Sequence, residues 1–209
     1  TFTEPLAFGL IEPPGALGAD IAAGEGQSMG LSLSFGGPYV GLFAVRSALV
    51  KFMPGRLVGM TSDARGNSCY TLTLAAREQH IRRARASSNI CTNEGLCATT
   101  VAIYLSMLGR EGLPRLALYN HHRADRLKSI LAASPGLSIA FDGPTFNEFV
   151  VRMPGPADRV VERLSADGLA PGFPLGAAYP ELDDCLLVSV TERKSDDDFE
   201  RLARALRST

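Results

Sequence analysis

The chemically distinctive segment is GADIAAGEGQSMGLSLSFGGPYVGLFAVR, residues 18–46, in which two glycine-rich turns lie between two apolar runs. FGGP, residues 35–38, frees backbone N–H groups from side-chain obstruction, an arrangement that suits an approaching phosphate. A tight turn ahead of a strand needs glycine equally, so the motif by itself leaves both readings open. GEGQSMG, residues 24–30, has neither dinucleotide nor P-loop spacing, and no lysine follows it. The whole segment contains no lysine, histidine or cysteine. It is built like a cofactor loop from which the bond-making groups are missing.

Other candidates lie further on. REQHIRRAR, residues 77–85, reads as a basic helical patch with one histidine, either a solvated face or a surface for an anion. SSNICTNEG, residues 87–95, places small polar side chains before a helix; they could hold an anion at the N-terminus or simply cap it through Thr92 or Asn93. Cys91 as a nucleophile would need a base, and His80 is the local histidine. His121 and His122 are adjacent on a helix, so they point about 100° apart and cannot both face one metal. The sequence contains no HExxH, no paired-cysteine site and no GxSxG.

The elements that must position these groups follow from periodicity and turn chemistry. ADIAAG and YVGLFAV read as strands, and RSALVKFM as a short helix stopped by Pro54 and Gly55. RLVGM and CYTLTL read as a hairpin joined through SDARGN. Leu96, Val101, Tyr104, Leu105 and Leu108 share one face of a helix. A second helix begins near Glu111 and ends at Pro135 and Gly136. The rhythm then changes to strand FNEFVVRM, helix ADRVVERLSADG, strand CLLVSVTE and helix SDDDFERLARALRS, with Ser195 and three aspartates as a helix start. APGFPLGAAYPELDD reads as a long loop, and a domain boundary falls within residues 108–136.

Composition narrows the function classes. The chain has 209 residues, 45% hydrophobic, with a formal net charge of -1. That charge gives no electrostatic case for nucleic acid or an anionic membrane surface. No apolar run approaches the roughly 20 residues needed to cross a bilayer. The four cysteines, Cys69, Cys91, Cys97 and Cys185, are scattered and read as buried free thiols. Only three lysines occur, Lys51, Lys128 and Lys194. A soluble intracellular protein is expected. The chain opens on Thr1 within a connecting segment, as a fragment of a longer protein would.

The run at residues 18–46, then MPGRLVGMTSDARG, then REQHIRRARASSNICTNEGLCA, closely resembles the glycine cleavage system P-protein family. The resemblance is to subunit 1, the subunit of the two-subunit bacterial form that lacks the cofactor lysine. It runs from Pro5 to Leu131 with high specificity and continues more weakly to Thr209; Glu94 and Gly95 are a minor departure. Members are about twice this length, so the match corresponds to their C-terminal half. The resemblance implies an α/β, fold-type I pyridoxal-phosphate (PLP) transferase-like fold. Residues 1–108 would end the large domain, residues 109–136 form a linking helix, and residues 137–209 form a small C-terminal α/β domain. In the catalytic subunit the corresponding loop carries a His-Lys pair whose lysine forms a Schiff base with PLP. Gln27 and Ser28 align with that pair, and neither has the primary amine the bond requires. Lys51, beyond the following strand, is poorly placed to substitute.

The resemblance implies a subunit of glycine dehydrogenase (aminomethyl-transferring), with PLP held covalently by the partner and not by this chain. Glycine would be decarboxylated and its aminomethyl group passed to lipoyl-lysine of the H-protein, in a bacterial cytoplasm. The expected partners are the lysine-bearing subunit 2, lipoylated H-protein and glycine. Ser34, Phe35, Gly36 and Gly37 are expected to cap the partner's PLP phosphate; Arg77, His80, Arg82 and Asn89 to line a substrate channel. No catalytic residue and no metal are assigned to this chain. The competing readings are a purely structural partner that contacts no ligand, an independent PLP enzyme using another lysine, and a thiol enzyme using Cys91. A truncated large domain is also expected to self-associate through exposed apolar surface.

Overall fold

The computed structural model describes residues 1–2, 4–89 and 94–207. These fall into two compact units, Thr1–Gly109 and Arg110–Thr209.

In the first unit the two apolar runs flanking the glycine-rich turns become strands β1 (Ile21–Glu25) and β2 (Gly41–Val45), paired antiparallel with Ile21 opposite Val45 and Glu25 opposite Gly41. A 3-10 helix, Ser47–Phe52, follows and ends before Pro54. The hairpin read from SDARGN forms as β3 (Leu57–Ser62) and β4 (Ser68–Thr73). Its turn is held by Asp63, whose Oδ1 accepts from the Arg65 and Asn67 backbone N–H groups at 2.8 and 2.9 Å. Those bonds, the Asn67 backbone N–H first, hold the Asp63 carboxyl below its ordinary value.

The basic stretch at residues 77–85 departs from the helical patch expected of it. Only Gln79–Arg82 forms a single α-turn, α1, between 3-10 turns at Ala75–Arg77 and Arg83–Arg85. The cause is local, because Arg83 has φ of 53°, where the chain leaves helical geometry. A helical stretch, α2 (Gly95–Ala132), is broken at Gly109, whose φ of 63° and ψ of -170° are not helical. Pro114 lies five residues after this break, inside the helix, where it removes one i→i−4 hydrogen bond. On the part of α2 before Gly109, Val101 is buried and Tyr104, Leu105 and Leu108 are partly so; Leu96, expected on the same face, is exposed.

The second unit carries a four-stranded antiparallel sheet in the order β5-β6-β8-β7: β5 (Ser138–Ile139), β6 (Glu148–Arg152), β7 (Phe173–Pro174) and β8 (Cys185–Ser189). Helices α3 (Ala157–Ala166) and α4 (Asp196–Arg207) complete it. The stretch read as one long loop, residues 170–184, contains β7. That extra strand reverses the chain, so β6 and β8 run antiparallel instead of forming a parallel βαβ unit. Phe149, Val151, Leu186 and Val188 alternate along β6 and β8 onto one face. There they meet Val160 and Leu164 of α3, Phe199, Leu202 and Leu206 of α4, and Ala124, Leu127 and Leu131 of α2 in one buried cluster. Each fully buried leucine or phenylalanine contributes about 1.5–3 kcal/mol, so this unit has a complete core.

Polar contacts fasten its helices. Arg123 lies over the Phe199 ring at 4.3 Å, donates to the Lys194 carbonyl at 2.6 Å and pairs with Asp196 at the start of α4. Ser195 caps α4 reciprocally: its Oγ accepts from the Asp198 N–H at 3.2 Å, and its own N–H donates to Asp198 Oδ2 at 2.7 Å.

The first unit differs. Among its described residues the buried apolar side chains include Pro5, Leu6, Met29, Cys97 and Val101. Large apolar side chains such as Ile21, Phe43, Phe52, Val58, Met60 and Tyr70 are exposed. Its strands form two separate two-stranded sheets, a size that is marginal in water without further cover.

Candidate functional site

The candidate site is the connection between β1 and β2. At its start, Glu25 Oε1 accepts from the Gly26 and Gln27 N–H groups at 2.9 and 3.0 Å. The Gln27 amide donates through Nε2 to the Leu31 carbonyl at 2.7 Å. Ser28 Oγ donates to Glu4 Oε1 at 2.7 Å, and the same oxygen accepts from the Leu6 N–H at 2.9 Å. Gln27 and Ser28 are therefore both committed to contacts within this chain. Lys51, in the 3-10 helix after β2, holds its Nζ 5.1 Å from the Phe52 ring centroid.

Two contacts seat the loop on the first part of α2. Gly30 has φ of 90°, and a Cβ there would lie 2.7 Å from the Tyr104 ring, so only glycine permits the approach. Further on, the Cys97 thiol donates to the Pro38 carbonyl at 3.7 Å.

Between these anchors the tip projects. Ser34, Phe35, Gly36 and Gly37 have consecutive positive φ values of 46°, 49°, 114° and 125°. Two are not glycine, so the backbone holds a conformation that L side chains disfavour. Ser34, Phe35 and Gly36 are exposed, and a Cβ on Gly36 would meet nothing within 4 Å. Locally, Ser32 and Ser34 share a hydroxyl hydrogen bond of 2.8 Å, and the Tyr39 hydroxyl donates to the Leu33 carbonyl. The strain is held by anchors on either side while the tip touches little of its own unit.

The second group of expected residues is dispersed by burial. Arg77 is buried; its guanidinium donates to the Met53 carbonyl and, at 2.6 Å, to the Gly55 carbonyl, and pairs with Glu78 at 3.4 Å. It holds the foot of the β3–β4 hairpin instead of facing solvent. His80, Arg82 and Asn89 are exposed. Cys91, Thr92 and Asn93 lie outside the described residues. His121 stacks on Phe146 with centroids 6.3 Å apart and pairs with Asp125 at 3.4 Å, while His122 is exposed.

Three residues of this site escaped the sequence reading. Glu4 is separated from Ser28 by 24 positions, and no local pattern joins them. Tyr104 and Cys97 look like ordinary core positions of α2. Only the tertiary contact with the loop distinguishes them.

The loop has no amine for a covalent carbonyl cofactor, whereas its tip offers exposed backbone of the kind that binds a phosphate. Among the described residues no helix is long and apolar enough to cross a membrane.

Comparison with known proteins agrees with this architecture. A Xanthobacter autotrophicus protein named "Probable glycine dehydrogenase (decarboxylating) subunit 1" is 55% identical over 208 residues, covering 99% of this chain and 46% of that protein. The chain thus spans about half the length of the relatives it matches. A crystal structure of glycine decarboxylase (P-protein) of the glycine cleavage system, in inhibitor-bound form, superposes with a TM-score of 0.92 at 42% identity, over 98% of this chain and 46% of that one. A mutant of C-DES with glycine covalently linked to its PLP cofactor superposes with a TM-score of 0.60 at 14% identity, over 93% of this chain and 47% of that one. That last likeness is one of fold, and the fold is that of the fold-type I PLP enzymes. The family model described as glycine cleavage system P-protein matches residues 1–206, and the chain belongs to that family.

Proposed function

We propose that this chain is part of the subunit of a PLP-dependent glycine dehydrogenase (decarboxylating) that lacks the cofactor lysine. The assembled enzyme would decarboxylate glycine and pass the aminomethyl group to lipoyl-lysine of the H-protein. The observation that carries the proposal is the strained, exposed tip at residues 34–37, anchored on both sides.

PLP bound to the partner's lysine supplies the electron sink for loss of carbon dioxide. This chain's part is to bind and orient. The backbone of Ser34, Phe35, Gly36 and Gly37 would present N–H groups to the phosphate, that of Gly36 on leaving its 3.4 Å bond to the Leu33 carbonyl, and exposed Phe35 would help exclude water at the subunit boundary. Glu4 and Ser28 satisfy each other, which keeps the chain's own loop closed. His80, Arg82 and Asn89 remain the candidates for a channel that admits glycine or the lipoyl arm. Arg77 supports the alternative of a structural contribution at its own position, because its Nη1 and Nη2 donate to backbone carbonyls. Residues 1–108, 109–136 and 137–209 keep the proposed assignment of large-domain end, linking helix and small domain.

The test is a visible absorbance spectrum with added PLP, before and after borohydride, on this chain alone and mixed with the lysine-bearing subunit. The expected result is a reducible band in the mixture only. A band trapped by this chain alone would make one of its own lysines the nucleophile and overturn the proposal.

A further inference from the structure

The tip at residues 34–37 stands between two stems that are held differently. On the far stem the Pro38 carbonyl accepts the Cys97 thiol at 3.7 Å, and the Val40 carbonyl accepts the Gly26 N–H at 2.8 Å. On the near stem Leu31 exchanges two bonds with Gln27, its N–H donating to the Gln27 carbonyl at 3.1 Å and its carbonyl accepting the Gln27 amide at 2.7 Å. Beyond Leu31 the chain runs out through Ser32, Leu33 and Ser34, all exposed. Tyr39 joins the two stems. It is half-buried between the two held carbonyls of the far stem, and its hydroxyl donates back across the tip to the Leu33 carbonyl. The same carbonyl accepts the Gly36 N–H at 3.4 Å, beyond the usual range for an N–H donor, so that bond is the weak one of the pair. A carbonyl oxygen has two lone pairs and can hold both donors at once.

We propose that Tyr39 is a positioning residue for the cofactor phosphate, its hydroxyl holding the Leu33 carbonyl so that the Gly36 N–H is free to turn to the anion. When Gly36 releases that carbonyl, the Tyr39 hydroxyl remains on it, and no acceptor is left bare as the site is covered. An unpaired carbonyl in a covered site is what would make the release costly. The same bond ties the exposed near stem to the anchored far one, so the strained tip keeps its shape while one of its own bonds opens. All of these contacts lie within residues 26–40 and Cys97, and the device needs no other surface of the chain. The inference rests on the proposed function above, in that the anion is the phosphate of PLP held by the lysine-bearing subunit.

The test compares PLP with pyridoxal, which carries the same aldehyde and no phosphate. The sample is the subunit at the full length of its relatives, assembled with the lysine-bearing subunit and stripped of cofactor, and binding of each compound is followed by absorbance. Tyr39→Phe keeps the ring and removes the hydroxyl alone. It is expected to weaken PLP binding by about fivefold or more, the worth of one hydrogen bond, and to leave pyridoxal binding unchanged. Equal weakening of both compounds would mean that Tyr39 only supports the fold, and overturns the inference. PLP affinity untouched by Tyr39→Phe but lowered by Gly36→Val overturns the inference and leaves the proposed function standing. PLP affinity untouched by either change overturns the inference together with the phosphate contact on which it rests.

Discussion

Replacing Gly36 by valine puts a β-branched side chain where φ is 114°, and the same change at Gly37 does so at 125°. Such residues are outliers at positive φ, and holding one there costs about 1–3 kcal/mol. A Cβ at Gly36 meets no atom within 4 Å, and at Gly37 the nearest, the Tyr39 amide nitrogen, is 3.7 Å away. No core is disturbed, so the cost falls on the shape of the tip itself. If that shape presents the N–H groups to the partner's PLP phosphate, the strain appears as lost cofactor affinity, roughly 5- to 150-fold for 1–3 kcal/mol. The assay is a PLP titration of the assembled complex by absorbance for each variant, alongside its thermal unfolding midpoint. The expected result is weakened PLP binding with an unchanged midpoint. Unchanged PLP affinity in both variants would refute the capping role and leave a purely structural partner as the better account.

Two further outcomes follow from burial. Arg77→Ala leaves the Met53 and Gly55 carbonyls without their donors, and is expected to destabilise the protein by on the order of 1–3 kcal/mol, read as a lower urea midpoint. Unchanged stability with a raised KM for glycine in the assembled enzyme would instead restore Arg77 to the channel. Cys185 is fully buried, and its thiol is pushed up to about 11, first by burial and then by its hydrogen bond to Asp184. It stays protonated at pH 8, so peptide mapping after alkylation of the folded chain is expected to find it unmodified where half-buried Cys69 has reacted.

What was legible in the sequence was local. Asp63, Gly66 and Asn67 specify the hairpin turn within a few residues of one another, and the strands on either side alternate as a hairpin requires. Ser195 and Asp198 announce the start of α4 at a spacing of three, the reach of a capping box. The absence of an amine between residues 18 and 46 was likewise plain, since it depends on composition alone. Failures came where the deciding partner was distant. The two-residue strands β5 and β7 are too short to carry a periodic signal and exist because β6 and β8 offer open edges.

The same division holds for the functional site. Residue types by themselves determined that the loop at 24–30 cannot form a covalent link to a carbonyl cofactor, and that the FGGP turn needs glycine. Tertiary structure alone decided that Glu4 occupies Ser28, that Tyr104 and Cys97 seat the loop, and that Arg77 is buried with Nη1 and Nη2 on backbone carbonyls. A hydrogen bond across 24 residues, or the burial of one arginine among several, depends on how separate elements pack, and no window of sequence contains that packing.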